Sequence, residues 1–433
     1  MNQIKVVLVG AGNRADGYAK LALEKPEKMK VVGLVDPDVV RRNIIKNKYG
    51  VEEENCFDCV EEFVQREKFA DAVINGTMDN IHVATSVPIL QKGYDLLLEK
   101  PFCVNEDEMW ELKEAADHYK CKVMICHVLR YAPFYSSIKK KVLDGEIGDI
   151  MSIQLTEHVE FNHWGVSYLR GKWANESICG SPVLLAKSCH DIDLMMWLKG
   201  GVRPVTVASF GADYQFKQGM KPKGAGHYCL LDCPAEVEGK CIYSARKNYL
   251  EPDLRWRQAV YKNIEGMELN YENCRKELMD KKNNYGRCVW DCPHDVVDHQ
   301  SVIVNFEDGT VGTFTLVGGS AKAERNIHLI GTRGEIKGVF QDSVYVVRKP
   351  KDGRFYEETV YDLKITGDMN GEKGGHGGGD PRLVEDFLNY LNGHEPSISC
   401  TSLEDSIYSH LTVFRAEKAR KNGVVERVFE SIS

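Results

Sequence analysis

Long apolar runs and long basic runs are both missing from the 433 residues of the sequence. No apolar stretch approaches the roughly 18 residues that a membrane-spanning helix needs. The formal net charge is −8, and a chain of that charge without a basic run is a poor ligand for nucleic acid. We therefore expect neither a membrane nor nucleic acid as a partner.

An export signal is also missing. The N-terminal stretch MNQIKVVLVGAG has a short apolar core that runs straight into a glycine turn, which predicts a strand and not a signal peptide. The sequence nevertheless contains 14 cysteines. Without export these argue against a disulfide framework, and they favour the reducing cytoplasm as the location.

The first 130 residues predict a nucleotide-binding domain. A short apolar strand, IKVVLV, leads into the pattern G-x-G-x-x-A, the spacing of a dinucleotide-binding turn between a strand and a helix. The first glycine permits the tight turn, the second lets the backbone approach a pyrophosphate, and the alanine keeps the helix close to the strand. Backbone N–H groups at the helix start would bind the phosphates. The residues expected at the cofactor here are Gly10, Gly12, Asn13, Arg14 and Ala15.

A second apolar strand, MKVVGLV, ends at Asp36, 26 residues after Gly10. An acid at this point accepts hydrogen bonds from ribose hydroxyls and repels a 2′-phosphate, so it favours NAD over NADP. Arg41 and Arg42 follow closely and leave some tolerance of NADP open.

Strands and helices continue to alternate up to residue 130. The stretches ADAVING, YDLLLEKP and CKVMICH are interpreted as strands, and the segments between them as helices. Such alternation predicts a doubly wound parallel sheet, in which ligands lie at the carboxyl ends of the strands. Thr77, Glu99, Lys100 and His127 come at such ends, so we expect them at the cofactor, with Lys100 at its reactive end.

Residues 131–433 predict a second domain, of α+β type. Stretches such as HQSVIVNFEDGTVGTFTLVGG and SVYVVRK suggest strands with few helices between them, which indicates a large, mostly antiparallel open sheet. One face of this sheet would cover the cofactor cleft. A cysteine-rich insertion occupies about residues 212–295. The chain as a whole is thus predicted to be α/β, a Rossmann domain followed by this α+β domain.

Residues 182–201, PVLLAKSCHDIDLMMWLKGG, predict a single apolar helix. Lys187 and His190 lie three residues apart and share one helical face, and a helix this apolar is mostly buried. Both side chains would then point into a cleft. A lone histidine on such a helix is more often a hydrogen-bonded core residue, so the pattern alone leaves both interpretations open.

Two further segments predict a substrate pocket. Residues 158–176 concentrate histidines, an arginine and tryptophans, which suit a polyhydroxylated ring; a purely structural loop is the alternative. Residues 371–383, GEKGGHGGGDPRL, place one histidine among six glycines. Such a segment is either a surface lid or a backbone wrapped closely around a ligand, and the histidine favours the second. The residues expected at the substrate from these segments are His163, Arg170, Trp173 and His376.

Five cysteines of the insertion form a candidate tetrahedral zinc site with one ligand to spare, which would hold the insertion to the sheet. Their spacings are looser than those of common zinc knuckles, and the alternative is a set of buried or redox-active thiols without metal. The five are Cys229, Cys233, Cys241, Cys288 and Cys292.

Together these motifs resemble the Gfo/Idh/MocA family of oxidoreductases: the G-x-G-x-x-A turn, the acid ending the second strand, EKP, HVLRYAP (127–133) and GEIGDI (145–150). The resemblance implies that Lys100 of EKP is a catalytic-site residue and that its bond to Pro101 is often cis. It also implies that the segment CHDIDLMMWL matches H-x-x-D at His190 and Asp193, with His190 acting on the substrate hydroxyl. In this family the other face of the sheet commonly makes oligomer contacts, so a homodimer or homotetramer is expected.

The resemblance implies an NAD-dependent dehydrogenase of a sugar, glycoside or cyclitol, with Lys100 and His190 handling the proton and Lys187 supporting them. Like charges would depress the pKa values of the two lysines. Many relatives carry an aspartate where this chain has Ala186, so the identity of the general base stays open. Two alternatives remain. One is a redox-neutral, NAD-dependent glycosidase, since GGHGG.D is similar to a segment of a glycoside-cleaving branch, and the other is an NAD-bound sensor without turnover.

Overall fold

The computed structural model describes residues 2–251, 257–260, 270–353, 355–364 and 375–429. Two sheets organise the chain. The first is parallel, as predicted, and has six strands in the order β3-β2-β1-β4-β5-β6. Its strands are β1 Ile4–Val9, β2 Met29–Val35, β3 Cys56–Phe57, β4 Ala72–Asn75, β5 Asp95–Leu98 and β6 Val123–Ile125.

The helices of this part connect its parallel strands, as a parallel sheet requires. They cover both faces of the sheet, which explains why β4 is buried at every position and β1 at all but one. The helices are α1 Asn13–Ala19, α2 Leu21–Glu24, α3 Val39–Tyr49, α4 Val60–Gln65, α5 His82–Gln91 and α6 Glu106–Tyr119.

The second sheet has nine strands in the order β14-β13-β12-β11-β7-β10-β9-β8-β15. Only the pair β7 and β10 is parallel among its described pairings, so the sheet is mostly antiparallel, as predicted. The strands are β7 Ile150–Glu160, β8 Pro204–Ala212, β9 His299–Phe306, β10 Val311–Ser320, β11 Glu324–Gly331, β12 Glu335–Val339, β13 Val344–Lys351, β14 Phe355–Asp362 and β15 Glu426–Arg427.

One face of this sheet is buried and the other is open. Strict alternation in β9, where every second residue is buried, separates the two faces. The long helix α16 lies against β8 and α11. The remaining helices are α7 Pro133–Leu143, α8 Phe161–Trp164, α9 Glu176–Cys179, α10 Val183–Ala186, α11 Cys189–Lys199, α12 Ala235–Glu238, α13 Arg257–Val260, α14 Tyr271–Met279, α15 Gly375–Leu391 and α16 Leu403–Asn422.

The prediction of a single helix over 182–201 is wrong. The segment forms two helices, α10 and α11, and Lys187 and Ser188 lie at the break between them. Both of these residues bind Glu157 of β7, through the Lys187 ammonium and the Ser188 hydroxyl. A buried carboxylate thus engages the chain at the point where the helix is interrupted, and Lys187 is not on the helix that carries His190.

Searched across the described ranges, the helices include none with the length and apolar character to cross a membrane.

Candidate active site

The turn after β1 has the geometry of a dinucleotide cradle. Gly10 has a φ of +81°, and a Cβ there would lie 2.9 Å from backbone atoms of Gly76 and Thr77, so only glycine fits. A Cβ on Gly12 would meet nothing within 4 Å, which leaves open space above the start of α1. Ala15 is fully buried beneath it. The turn can therefore accept a pyrophosphate against the N–H groups of α1.

Asp36 lies beside this turn at the end of β2. Its Oδ2 accepts a hydrogen bond from the N–H of Ala11 at 2.7 Å, and its Oδ1 accepts one from the N–H of Asp38 at 2.8 Å. Arg41 approaches Asp36 at 3.6 Å. Each carboxylate oxygen retains acceptor capacity for a ribose hydroxyl.

Replacing Asp36 by alanine should raise the KM for NAD by about tenfold, and should raise kcat/KM for NADP relative to NAD. The substitution removes a ribose acceptor and leaves Arg41 free to meet a 2′-phosphate. Steady-state kinetics with both cofactors measures the change. Glu67→Ala is the matched control, since Glu67 is an exposed acid of the same domain. Unchanged cofactor preference in the Asp36 variant would remove Asp36 from the ribose site.

Glu99 and Lys100 follow β5 and point in different directions. Glu99 is buried and accepts hydrogen bonds from Arg14 Nε at 2.7 Å and from the backbone N–H of Lys100. Burial would raise the pKa of Glu99, but the Arg14 guanidinium and the Lys100 ammonium hold it below its ordinary value. The Lys100 ammonium instead donates to the carbonyl oxygen of Ala186 at 2.8 Å. The bond between Lys100 and Pro101 is cis, as the family resemblance implied.

Three histidines gather beyond these strand ends. The ring centroids of His127 and His190 are 6.0 Å apart, and those of His190 and His376 are 5.6 Å apart. Among the described residues, neither ring nitrogen of His127 has a hydrogen-bond partner. The same is true of Nδ1 of His190. Burial lowers the pKa of His127 and of His190 well below the ordinary value, and nearby cations lower both further, so both rings are neutral at pH 7. Buried polar atoms without partners indicate a place where a ligand can bind.

The acid of the H-x-x-D segment does not orient His190. Asp193 is buried and binds the Arg130 guanidinium through both oxygens, with Nε to Oδ2 at 2.7 Å. Asp193 Oδ1 comes no closer than 3.8 Å to His127 Nε2. At position 186 the backbone carbonyl receives the Lys100 ammonium, so a neutral acceptor stands where many relatives carry a carboxylate.

Lys187 belongs to a buried ionic cluster that the sequence did not predict. Its ammonium lies 3.0 Å from Glu157, and Arg325 of β11 binds both Glu157 and Asp191, the latter at 3.0 Å. Burial lowers the pKa of Lys187, as expected, and the nearby Arg325 lowers it further, while Glu157 opposes both. Burial, with Glu157 adding to it, raises the pKa of Asp191 to about 8.

Three further residues are predicted to lie at the cofactor or at the substrate. Thr77 lies at the end of β4, where its hydroxyl donates to Asn75 at 2.9 Å. Trp173 donates its indole N–H to Asp79 at 3.2 Å and thereby meets the cofactor domain. His163 is half-buried, with its ring 6.1 Å from that of Tyr168.

Arg170, predicted at the substrate, makes its described contacts with the insertion. It is 3% exposed and donates to the carbonyls of Arg287 at 2.9 Å and Tyr243 at 2.8 Å, and to the Tyr249 hydroxyl. All three partners belong to the insertion, because a buried guanidinium needs several acceptors and the insertion supplies them. The described contacts of Arg170 therefore anchor the insertion, and its place at the substrate stays a prediction.

Replacing Arg170 by methionine should lower the free energy of unfolding by about 2–4 kcal/mol, since it leaves buried carbonyls unpaired. We expect faster limited proteolysis within the insertion and little change in kcat. Arg246→Met is the control, because Arg246 is half-exposed and pairs loosely with Glu238 at 3.6 Å. Normal stability together with lost turnover in the Arg170 variant would place this residue at the substrate site.

The predicted zinc site is not supported. Cys229, Cys233, Cys241 and Cys288 line one small cavity, and Cys292 does not line it. Across the described residues, no three or more His, Cys, Asp or Glu side chains are arranged to hold a metal ion. Burial raises the pKa of Cys288 to about 11 and that of Cys292 to about 12. All fourteen cysteines are free.

Two models of known protein families match the chain. One, described as an oxidoreductase family with an NAD-binding Rossmann fold, matches residues 4–127, and the other, the C-terminal alpha/beta domain of an oxidoreductase family, matches residues 139–426. YteT of Bacillus subtilis (strain 168) is 26% identical over 398 residues, which cover 88% of each chain. Inositol 2-dehydrogenase of Corynebacterium glutamicum (strain R) is 22% identical over 201 residues, 46% of this chain and 54% of that one.

A solved structure shares the fold along the whole chain. Levoglucosan dehydrogenase, in complex with NADH and levoglucosan, superposes with a TM-score of 0.70 at 15% sequence identity, and the match covers 99% of this chain and 100% of that chain. At this identity the likeness shows the fold alone.

Proposed function

The chain belongs to the Gfo/Idh/MocA oxidoreductase family and carries its NAD-binding domain, and on that premise we propose that it oxidises a secondary hydroxyl of a sugar, glycoside or cyclitol. The relatives named inositol 2-dehydrogenase and levoglucosan dehydrogenase support this substrate class. NAD, when bound, accepts the carbinol hydride at C4 of its nicotinamide.

The observation that carries the proposal is the contact of Lys100 with the segment before α11. Through Ala186 the lysine at the carboxyl end of β5 meets the chain that leads to His190. Ligands of doubly wound sheets bind at that edge of the sheet. A substrate hydroxyl held there would face the Lys100 ammonium, which stabilises the alkoxide as the hydride leaves. We expect His190 to share in binding the same hydroxyl, since the Lys100 ammonium is close enough to lower the pKa of its ring.

On the cofactor side, we assign the pyrophosphate to the turn from Gly10 to Ala15 and the adenosine ribose to Asp36. Thr77, Glu99 and His127 would lie around the nicotinamide half. Arg14 is held between Glu99 and Asp380, with Nη2 3.1 Å from Asp380 Oδ1. Its guanidinium is therefore occupied by these two carboxylates. We expect the pyrophosphate to be bound chiefly by backbone N–H groups.

On the substrate side, we assign His163, Trp173, Lys187 and His376 to the walls of the pocket. Lys187 is paired with Glu157, so its charge is largely compensated and its role is to hold polar groups of the ring. Trp173 supplies an apolar face of the kind that packs against the CH groups of sugars.

We further infer a homodimer or homotetramer formed through the open face of the large sheet, and a location in the cytoplasm. Large apolar side chains lie exposed on that face in four strands, which is unusual for a surface that meets only water. They are Met151, Phe210, Ile303 and Val311. The fourteen free thiols support a reducing compartment.

The test is absorbance at 340 nm with excess NAD and a panel of sugars, cyclitols and aryl glycosides, with released aglycone assayed in parallel. A rise at 340 nm without aglycone is the expected result, and the active members identify the substrate. Aglycone release at constant absorbance would instead indicate that oxidation is internal to glycoside cleavage. Tight NAD binding without either signal would favour a sensor.

A further inference from the structure

We propose that His376 is the general base that accepts the proton of the substrate hydroxyl, and that Asp380 is the residue that positions it. The inference rests on the proposed dehydrogenase function and names the group that this function leaves open. In the reaction the O–H bond of the substrate breaks and its proton moves to Nε2 of His376. The C–H bond of the carbon that carries this hydroxyl also breaks. Its hydrogen leaves as a hydride that reduces NAD, and the C=O bond forms.

His376 and Asp380 form a fixed pair. His376 Nδ1 lies 3.1 Å from Asp380 Oδ1. Asp380 is itself held by Arg14, whose Nη1 and Nη2 lie 3.2 and 3.1 Å from its two oxygens. Burial would raise the pKa of Asp380, but His376 and Arg14 lower it to about 2. The carboxylate is therefore charged and can only accept, so Nδ1 of His376 carries the proton and Nε2 keeps its lone pair.

The lone pair of His376 is available and the ring is neutral. Within the described residues Nε2 has no hydrogen-bond partner, and the side chain is 32% exposed, which lets a substrate reach it. Burial lowers the pKa of His376 below its ordinary value, although Asp380 opposes this. A neutral imidazole with a carboxylate on one nitrogen and an open second nitrogen is the arrangement that a general base requires.

Neither Lys100 nor His190 has that arrangement. Lys100 donates to the Ala186 carbonyl, and His190 has no acceptor for its Nδ1 in the described chain, because Asp193 is occupied by Arg130. The acid missing at position 186 is thus supplied from another element, α15, whose histidine lies 5.6 Å from the His190 ring.

The backbone holds His376 in an unusual conformation. His376 has a φ of +56°, followed by Gly377 at +63° and Gly378 at +81°. A non-glycine residue is uncommon in this left-handed region, and such residues concentrate at functional sites. A Cβ on Gly379 would lie 2.2 Å from the Val128 carbonyl oxygen, and one on Gly377 would lie 2.8 Å from the Phe340 ring. The turn is packed tightly on both sides, which fixes the direction of the histidine.

Replacing His376 by alanine should lower kcat by about 100-fold, leave the Kd for NAD within about twofold, and permit partial rescue by added imidazole. His376→Gln, of similar size, is made in parallel in case the alanine variant does not fold. His394→Ala, an exposed histidine that follows α15, is the matched control and should behave as wild type. Either His376 variant retaining kcat within threefold of wild type would overturn the proposal.

Asp380→Asn tests the positioning role by the pH profile of kcat/KM. The base must be neutral, so the rate rises with pH through the pKa of His376. The groups that face His376 are Asp380, Arg14, Glu99 and His190. Removing the negative charge of Asp380 lowers the pKa of His376, so the acid limb should move to lower pH while the plateau falls. Asp380→Glu should recover part of the plateau.

An acid limb of unchanged position in Asp380→Asn would contradict the pairing. The experiments distinguish a failure of the proposed function from a failure of the role given to His376. If the wild-type enzyme oxidises no member of the panel, the proposed function fails and the inference with it. If the wild type is active and the His376 variants are equally active, only the inference fails.

Discussion

Replacing Lys100 by methionine should lower kcat roughly 1,000-fold while the Kd for NAD stays within a few-fold. The ammonium donates to the Ala186 carbonyl at 2.8 Å, and no described carboxylate lies within 4.0 Å of it. Its positive charge is thus not consumed by an ion pair and is directed at the developing alkoxide. Methionine keeps the length of the side chain and removes the charge, so the loss reports electrostatics and not packing.

Single-turnover absorbance at 340 nm measures the effect of the Lys100 change, and quenching of tryptophan fluorescence measures NAD binding. Lys30→Met, an exposed lysine on β2 in the same domain, serves as the control. A Lys100 variant that reduces NAD within threefold of the wild-type rate would show that the alkoxide is stabilised by another group.

Replacing Arg325 by methionine should lower the free energy of unfolding by about 3–5 kcal/mol. The guanidinium is 11% exposed and binds Glu157 and Asp191, which are each 3% exposed. Its removal takes the guanidinium donor from two adjacent buried carboxyl groups, and Lys187 remains paired with Glu157. A buried polar group that loses its partner is costly because the interior cannot solvate it as water does.

Urea denaturation measures the Arg325 effect, with Arg348→Met as the control. Arg348 also binds two carboxylates, Glu335 and Glu358, but its side chain is 33% exposed, so its removal should cost less than about 1 kcal/mol. Equal midpoints for the two variants would mean that the buried cluster does not stabilise the fold.

Much of the cofactor side was predictable from sequence because its signals are local. Each signal lies within a few residues: a glycine turn, an acid at the end of one strand and a lysine at the end of another. The parallel sheet then brings the carboxyl ends of these strands to the same edge. Gly10, Asp36 and Lys100 lie at those strand ends in the structure. The alternation of β and α segments predicted the parallel sheet correctly, and the runs of strands with few helices between them predicted the mostly antiparallel one.

The substrate side was less predictable because its contacts are remote in sequence. Arg325 and Glu157 are 168 positions apart in the sequence. No local pattern predicts which residues of two such strands will face each other. The same cluster interrupts the helix predicted over 182–201. The contacts of Arg170 were not predictable either, because an arginine suits a pocket as well as an anchor, and only the fold shows that it donates to carbonyls of the insertion.

His376 is an intermediate case. The glycine-rich segment marked this histidine as unusual, but the first part of the segment lies outside the described residues. The partner that gives His376 its tautomer, Asp380, is only four positions away. The sequence contained this pair, and the structure adds Arg14, which arrives from the cofactor turn and fixes the charge of the aspartate.

The most direct test of hydride transfer at this site follows the carbinol hydrogen itself. A substrate identified by the panel is deuterated at the oxidised carbon and converted with NAD in a single turnover, and the reduced cofactor is analysed by proton NMR. The predicted result is one deuterium at C4 of the nicotinamide for each ketone formed. Ketone formation with undeuterated NADH would contradict direct transfer between substrate and cofactor.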